Sequence, residues 1–169
     1  MRLIDLTHST TQRTLDKTSV PVVVRSVDSI DRVPLDRLIG LATVVDVVDR
    51  PDASRVTRAD VATTGLSGIQ GCILKSSWCD RHLQRGGEEA PRLDVEAAGY
   101  LLENGVRVVA ADFPLANEAA DMLLQNSCVL TYCLSNVSSL EKNVVRLVAL
   151  PLKYEDTFSA EARVIAIEE

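Results

Sequence analysis

The sequence predicts an α/β fold: one domain, residues 1–169, in which helices flank a mixed β-sheet. Three observations carry this prediction. Val-rich, β-branched runs such as "VPVVVRSV" and "LATVVDVVD" read as buried strands. "VRVVAADFP", "ANEAADMLLQNS" and "CVLTYCL" then follow as strand, helix and strand. That order makes Val106–Ala111 and Cys128–Cys133 parallel neighbours joined by a right-handed crossover. Finally, 169 residues fit one domain and suffice to bury a core.

The elements follow in order. "LIDL" at Leu3–Leu6 alternates as a short strand should. Between the two Val-rich strands, "DSIDRVPLDRLIG" is a connection punctuated by Pro34 and Gly40. "RPDASR" is a polar turn, and "VTRADVATTG" a short helix with Thr57 as N-cap and Gly65 as its stop. "QGCILKS" is a further strand. The polar, Gly-containing stretch Trp78–Arg92, "WCDRHLQRGGEEAPR", reads as a surface excursion. In "LDVEAAGYLLENG", Asp94 caps a helix. Val95, Ala98, Leu101 and Leu102 share one face of it, and Gly105 closes it. "NVVRLVALPLK" and "EARVIAIEE" finish as strands.

Composition narrows the function classes. Hydrophobic residues are 46% and charged residues 25%, an ordinary globular balance. The net charge is −6 with no basic run to offset it, so a phosphate backbone is repelled and nucleic acid is not an expected partner. No apolar run approaches the roughly 20 residues of a membrane span. Asp5 interrupts the start where a secretion signal needs an apolar core, so the expected location is cytoplasmic. Cys72, Cys79, Cys128 and Cys133 show no CxxC spacing and read as small buried hydrophobes in a reducing compartment.

Taken in order, several segments resemble the cyclase family, which includes bacterial kynurenine formamidases and isatin hydrolases. "RLIDLTHS" resembles its opening strand and turn, and "VPLDRLIGLATVVDV" its next conserved strand segment. "ILKSSWCDR" resembles the strand ending in a Thr-Gly-Trp-Ser-like turn. "PRLDVEAAGYLLENGVRVVAADFP" is similar to the helix and strand ending in an Asp-x-Pro turn. "LLQNSCVLTYCLSNVSSL", "LVALPLK" and "ARVIAIE" resemble the segments that follow. The resemblance spans nearly the whole chain. It implies a partial barrel flanked by helices, the swivelling β/β/α architecture, and a homo-oligomer, either dimer or tetramer.

The departures from that family matter more than the matches. Family members carry a His-x-Gly-Thr-His-x-Asp segment that supplies metal ligands and a catalytic base. Here "VPVVVRSVDS" runs straight into "IDRVPLDRLIG", and the segment is missing. By the resemblance, a later family histidine falls on Ala120 and a family glutamate on Tyr132. A catalytic zinc needs three protein ligands and an open position. His8 and His82 are the 2 histidines of the whole chain. The expectation is therefore no cofactor and no metal, which argues against metal-activated amide hydrolysis.

What remains is a cleft suited to a small hydrophobic molecule. Holding a flexible substrate in a near-attack shape supplies up to ~7–11 kcal/mol of a barrier, and hydrogen bonds to developing negative charge add to that. The leading reading is a metal-independent cyclase or isomerase, or a lyase, acting on a polyketide-like secondary metabolite. One rival is a pseudoenzyme that binds or regulates without catalysis. Another is a degenerate hydrolase with a rebuilt metal site.

Each candidate residue has a chemical reading and a plainer one. Tyr132 offers a phenol to donate a proton, or an aromatic plug filling the vacated space. Asp112 sits at a strand's carboxyl end, where open α/β sheets place ligands, or it closes the "DFP" turn. His82 and Asp80, in "WCDRH", form an acid–base pair or are exposed loop polarity. Trp78 is a pocket wall or core packing, and His8 borders the site or is structural. Cys133 and Cys79 are candidate nucleophiles, but the sequence assigns neither a base.

Overall fold

Parallel neighbours need a crossover segment between them, whereas antiparallel neighbours can be joined by a short turn. The computed structural model describes residues 1–8, 22–48, 55–85 and 89–169, with the backbone alone for 82–85. The chain begins with β1 (Arg2–Asp5), β2 (Val23–Arg25), β3 (Ile39–Asp46), β4 (Arg55–Val56) and α1 (Arg58–Ala62). It continues with β5 (Gly71–Lys75), α2 (Trp78–Arg85), β6 (Arg92–Leu93), α3 (Val95–Glu103) and β7 (Val108–Ala111). The last elements are α4 (Glu118–Gln125), β8 (Val129–Tyr132), β9 (Val144–Pro151) and β10 (Ser159–Glu168).

Among the described residues, β4 and β6 make a separate parallel pair, and the other strands form one sheet in the order β1-β10-β2-β8-β7-β5-β3-β9. Strands β3, β5, β7 and β8 run parallel, including the expected β7–β8 pair. The remaining pairings are antiparallel. The implied barrel is present, and it closes because β10 also pairs with β9. β10 is 10 residues long, enough to serve several neighbours. Its Ser159–Glu161 lie along β2, Ala162–Ile167 along β9, and Ile165–Glu168 along β1.

Alternation then sorts the side chains into two layers. Ala42, Val44, Ile73, Val108, Ala110 and Val129 join Val24, Leu147, Val164 and Ala166 in the barrel interior. Their neighbours Val45, Cys72, Leu74, Val109, Ala111 and Leu130 face the helices. Each fully buried Val or Leu contributes about 1.5–3 kcal/mol. β3 and β5 approach closely at one register pair: a Cβ on Gly71 would lie 2.8 Å from the Cβ of its partner Ala42. On the helix side, α3 buries Ala97, Ala98 and Leu101, while α4 buries Ala119, Ala120, Leu123 and Leu124. The Arg58 guanidinium sits 5.2 Å from the Tyr100 ring centre and ties α1 to α3.

Several local expectations need correction. The stretch from Trp78 is helical as far as Arg85, not a loop excursion. Its polar composition misleads: among its described side chains the apolar pair Trp78 and Cys79 is buried, and the polar residues that follow hide the helix from a sequence reading. Asp94 occupies the N-cap position of α3 but makes no capping bond. Its carboxylate instead accepts from Arg55 Nε and Nη2, each at 2.9 Å. Thr57 does precede α1, with its amide and hydroxyl donating to Asp60 Oδ2 at 2.6 and 2.7 Å. That helix ends at Ala62, before Gly65, where the Thr63 and Thr64 hydroxyls bond back to Asp60 O and Val61 O. The "DSIDRVPLDRLIG" connection holds two 3-10 turns, Ile30–Arg32 and Leu35–Arg37. Most of the predicted "RPDASR" turn lies outside the described residues. No helix among the described residues is long and apolar enough to cross a membrane.

Candidate active site

The parallel strands β5, β7 and β8 deliver their carboxyl ends to one rim of the barrel, the edge where α/β sheets gather chemistry. After β5 the chain turns sharply through Ser77, whose φ of 57° is rare for a residue with a side chain. That turn folds Ser76 onto the end of β7. The Ser76 amide and hydroxyl both donate to Asp112 Oδ1, at 2.9 and 2.8 Å. Ser76 Oγ in turn accepts from the Trp78 amide at 3.2 Å. The Cys79 amide donates to the main-chain oxygen of Asp112 at 3.1 Å, and Arg81 Nη1 donates to Ser76 O at 2.9 Å. Asp112 therefore anchors the first turn of α2.

Asp112 is fully buried, and its Oδ2 has no hydrogen-bond partner among the described residues. Burial pushes its carboxyl up to about 6, against the hydrogen bonds from Ser76 and Trp78, with the Asp80 charge adding to the rise. The group is thus poised to exchange a proton near neutrality.

β1 brings in the imidazole. The Ser135 amide donates to Leu6 O at 3.0 Å, and the Leu6 amide to Val164 O at 2.9 Å. The Val164 amide donates to Thr7 Oγ1 at 2.8 Å. These bonds stitch the end of β1 between the segment after β8 and the middle of β10. His8 Nε2 then lies 3.2 Å from Cys79 Sγ. Cys133 follows β8 with φ of 62°, a left-handed conformation held by the Leu134 amide donating to Ala111 O at 3.0 Å. Its side chain is a near neighbour of the Cys79 thiol and acts on it electrostatically. The Cys133 contact, and after it burial, drive the Cys79 thiol well above its usual range, with His8 opposing. Asn136, also left-handed, donates its amide to both Asp80 carboxylate oxygens at 3.0 and 3.1 Å. Its side-chain amide donates to Asp5 O at 3.2 Å.

Of the residues predicted from sequence, the structure brings together His8, Trp78, Asp80, Asp112 and Cys133. Tyr132 is half-buried, packs on the helix-side layer and joins none of these hydrogen bonds among the described residues. Burial raises its phenol, and the Arg25 charge partly offsets that. His82 lies within α2, with its side chain outside the described residues. Ser76 escaped the sequence reading, although its place directly after a parallel strand is the signal that picked out Asp112. Cys79 lacked a base in the sequence, and the structure puts His8 against it.

Comparisons with known proteins agree with this architecture. The Cyclase family model matches residues 6–118. Isatin hydrolase A from Labrenzia aggregata, bound to benzyl benzoate, is 16% identical over 99% of this chain and 94% of its own, with a TM-score of 0.81. Isatin hydrolase A from Ralstonia solanacearum is 15% identical over 99% and 92%, with a TM-score of 0.80. A predicted metal-dependent hydrolase from Bacillus stearothermophilus is 16% identical over 98% and 97%, with a TM-score of 0.77. At such identities the likeness is one of fold. No curated protein matches the chain significantly.

One of these neighbours is named for metal dependence, so the donor set here bears directly on a metal. Among the described residues no three His, Cys, Asp or Glu side chains gather as a metal ion requires. His8 meets Cys79, and Asp112 Oδ1 is taken by Ser76. The described side chains do not fit a divalent cation.

Proposed function

The chain belongs to the Cyclase family, and from that membership we propose a small-molecule enzyme that uses neutral hydrogen-bonding groups in place of a divalent ion. The reaction is an intramolecular cyclisation or rearrangement of a small hydrophobic, polyketide-like substrate, guided by shape. The observation that carries this reading is the contact between His8 and Cys79 at the strand-end rim. In this reading Cys79 donates its thiol proton to His8 Nε2, the arrangement that leaves the ring N–H on Nδ1. His8 is half-buried and can present that N–H to a carbonyl where negative charge develops. Asp112, titrating near 6 behind Ser76, supplies a proton reservoir in the same cluster.

A second reading rests on burial. Cys79 and Asp112 are 0% exposed, Cys133 1% and Trp78 6%, as in a packed rim that binds without reacting. Turnover of polyketide-like ring-closure precursors by the purified chain separates the readings. The enzyme reading expects turnover that a chelator leaves unchanged and that His8→Ala lowers by about 100-fold. Reversible binding with unaltered ligand recovered establishes the pseudoenzyme. Turnover abolished by the chelator and restored by a divalent metal overturns both in favour of a rebuilt hydrolase.

Assembly into a dimer or tetramer is part of the proposal. Leu3, Ile167, Arg146 and Leu41 are successive register partners across β1, β10, β9 and β3, and so share one face. Leu3 is 60% and Leu41 42% exposed there, apolar surface that a second copy would cover.

A further inference from the structure

Where β1, β8 and α2 converge, an imidazole contacts one of two neighbouring cysteines, although their positions are far apart in the sequence. Cys79 Sγ lies 3.2 Å from His8 Nε2, and Cys133 is close enough to perturb the same thiol. The backbone fixes both cysteines at the end of one strand. The Cys79 amide bonds Asp112 O at 3.1 Å, and the residue after Cys133 bonds Ala111 O at 3.0 Å. These are consecutive carbonyls at the carboxyl end of β7. Cys133 holds its left-handed φ of 62° there, a conformation non-glycine residues rarely adopt.

We propose that Cys79 and Cys133 form a reversible dithiol–disulfide site, oxidised by a hydroperoxide with His8 accepting the first proton. His8 takes the Cys79 proton, and the thiolate attacks the outer peroxide oxygen. The O–O bond breaks, and the leaving oxygen takes up a proton from the imidazolium to depart as water or an alcohol. Cys79 is then a sulfenic acid, oxidised by two electrons. The Cys133 sulfur displaces the sulfenic oxygen, which leaves as water with the Cys133 proton, and the S–S bond forms. Two thiols and one peroxide are consumed, and a cellular thiol such as glutathione reverses the change by exchange.

The other two cysteines lack this arrangement. Burial raises Cys72 to about 12. The Cys128 thiol donates to Val106 O at 3.5 Å, and burial raises it to about 11. No described contact places a second thiol or an imidazole on either. Its neighbour Cys133 and then burial push the Cys79 thiol upward, against His8. The pair is therefore stable when reduced and reacts only through the half-buried His8. Such a transient disulfide is compatible with a reducing compartment. It shares the His8–Cys79 contact with the turnover proposed above, but it is read by the mass and linkage of the chain and not by turnover, so each can fail without the other.

The test uses the full-length reduced chain, treated with hydrogen peroxide and mapped by mass spectrometry without reductant. The expected product is two hydrogens lighter than the reduced chain. Trypsin should release Ser76–Arg81 joined to Val108–Lys142, with fragmentation placing the bond at Cys133 rather than Cys128. Dithiothreitol should reverse it, and the Cys72→Ser/Cys128→Ser double variant should still form it. His8→Ala should form it about ten-fold more slowly. Bonding through Cys72 or Cys128, or oxidation to sulfinic acid with no cross-link, overturns the dithiol assignment. An unchanged rate in His8→Ala overturns the role given to the imidazole.

Discussion

Asp112→Asn isolates the energetic character of the rim. The wild-type carboxyl titrates near 6 in the fold, against an ordinary 3.8, and burial is the chief cause. A group raised in this way favours the fold in its protonated form. Its contribution is complete below pH 3.8 and is lost as pH rises through about 6. Two units at about 1.36 kcal/mol each make that loss about 3 kcal/mol. Asparagine keeps an acceptor for the Ser76 amide and hydroxyl but does not titrate. Its amide nitrogen takes the place of Oδ2, at an offset of about 1–3 kcal/mol for an unpaired donor. That offset is the same at every pH and cancels from the comparison. Urea unfolding of both proteins should therefore be measured at several pH values between 4 and 7.5. The wild-type chain should lose about 3 kcal/mol relative to the variant across that span, or about 6–12 °C in melting temperature for a chain of this size. A stability difference that stays constant with pH would refute the claim that burial raises the Asp112 carboxyl.

The remaining predictions concern packing and the closure of the barrel. Gly71→Ala should cost about 1–3 kcal/mol in thermal unfolding, because its methyl would meet Ala42 Cβ at 2.8 Å and Leu41 O at 3.1 Å. Adding Ala42→Gly should recover part of that loss; no recovery would place the strain elsewhere. Glu168 accepts from the Glu141 and Lys142 amides at 2.7 and 2.9 Å while only 4% exposed. Glu168→Ala should cost about 1–3 kcal/mol by leaving those amides unpaired. Burial raises the Glu168 carboxyl, but the two amides and Arg2 outweigh it and hold the group below its ordinary 4.5. The wild-type advantage should therefore stand above pH 4.5 and shrink as acid approaches the lower folded value; an advantage that grows in acid would contradict the sign.

The strands were legible because β-branched runs announce themselves. "LATVVDVVD", "QGCILKS" and "CVLTYCL" all fall on strands of the sheet. The crossover logic placed β7 beside β8 correctly. Helix α2 was not legible, since Trp78 and Cys79 are followed by five polar residues and one leucine, too few apolar positions to announce a helical period. The site was legible in part. A strand's carboxyl end pointed to Asp112, and the same reasoning applied to β5 would have reached Ser76. The His8–Cys79 contact spans 71 positions and depends on bonds between β1, β8 and β10, so no local spacing could announce it. The Asp94 cap failed because a capping residue has a choice of partners, and here an arginine 39 positions away takes the carboxylate.

Strand β10 carries a consequence for how the chain is made. It meets β2, β9 and β1, and through β1 it joins Arg2 to Glu168. During synthesis on the ribosome, the parallel block from β3 to β8 emerges and collapses early, while β1 and β2 wait with open edges for their closing partner. That interval exposes unpaired backbone and apolar side chains, the condition under which nascent chains recruit chaperones or aggregate. Because these pairings are so distant along the chain, folding should be slow, and complete only after translation has delivered the final strand.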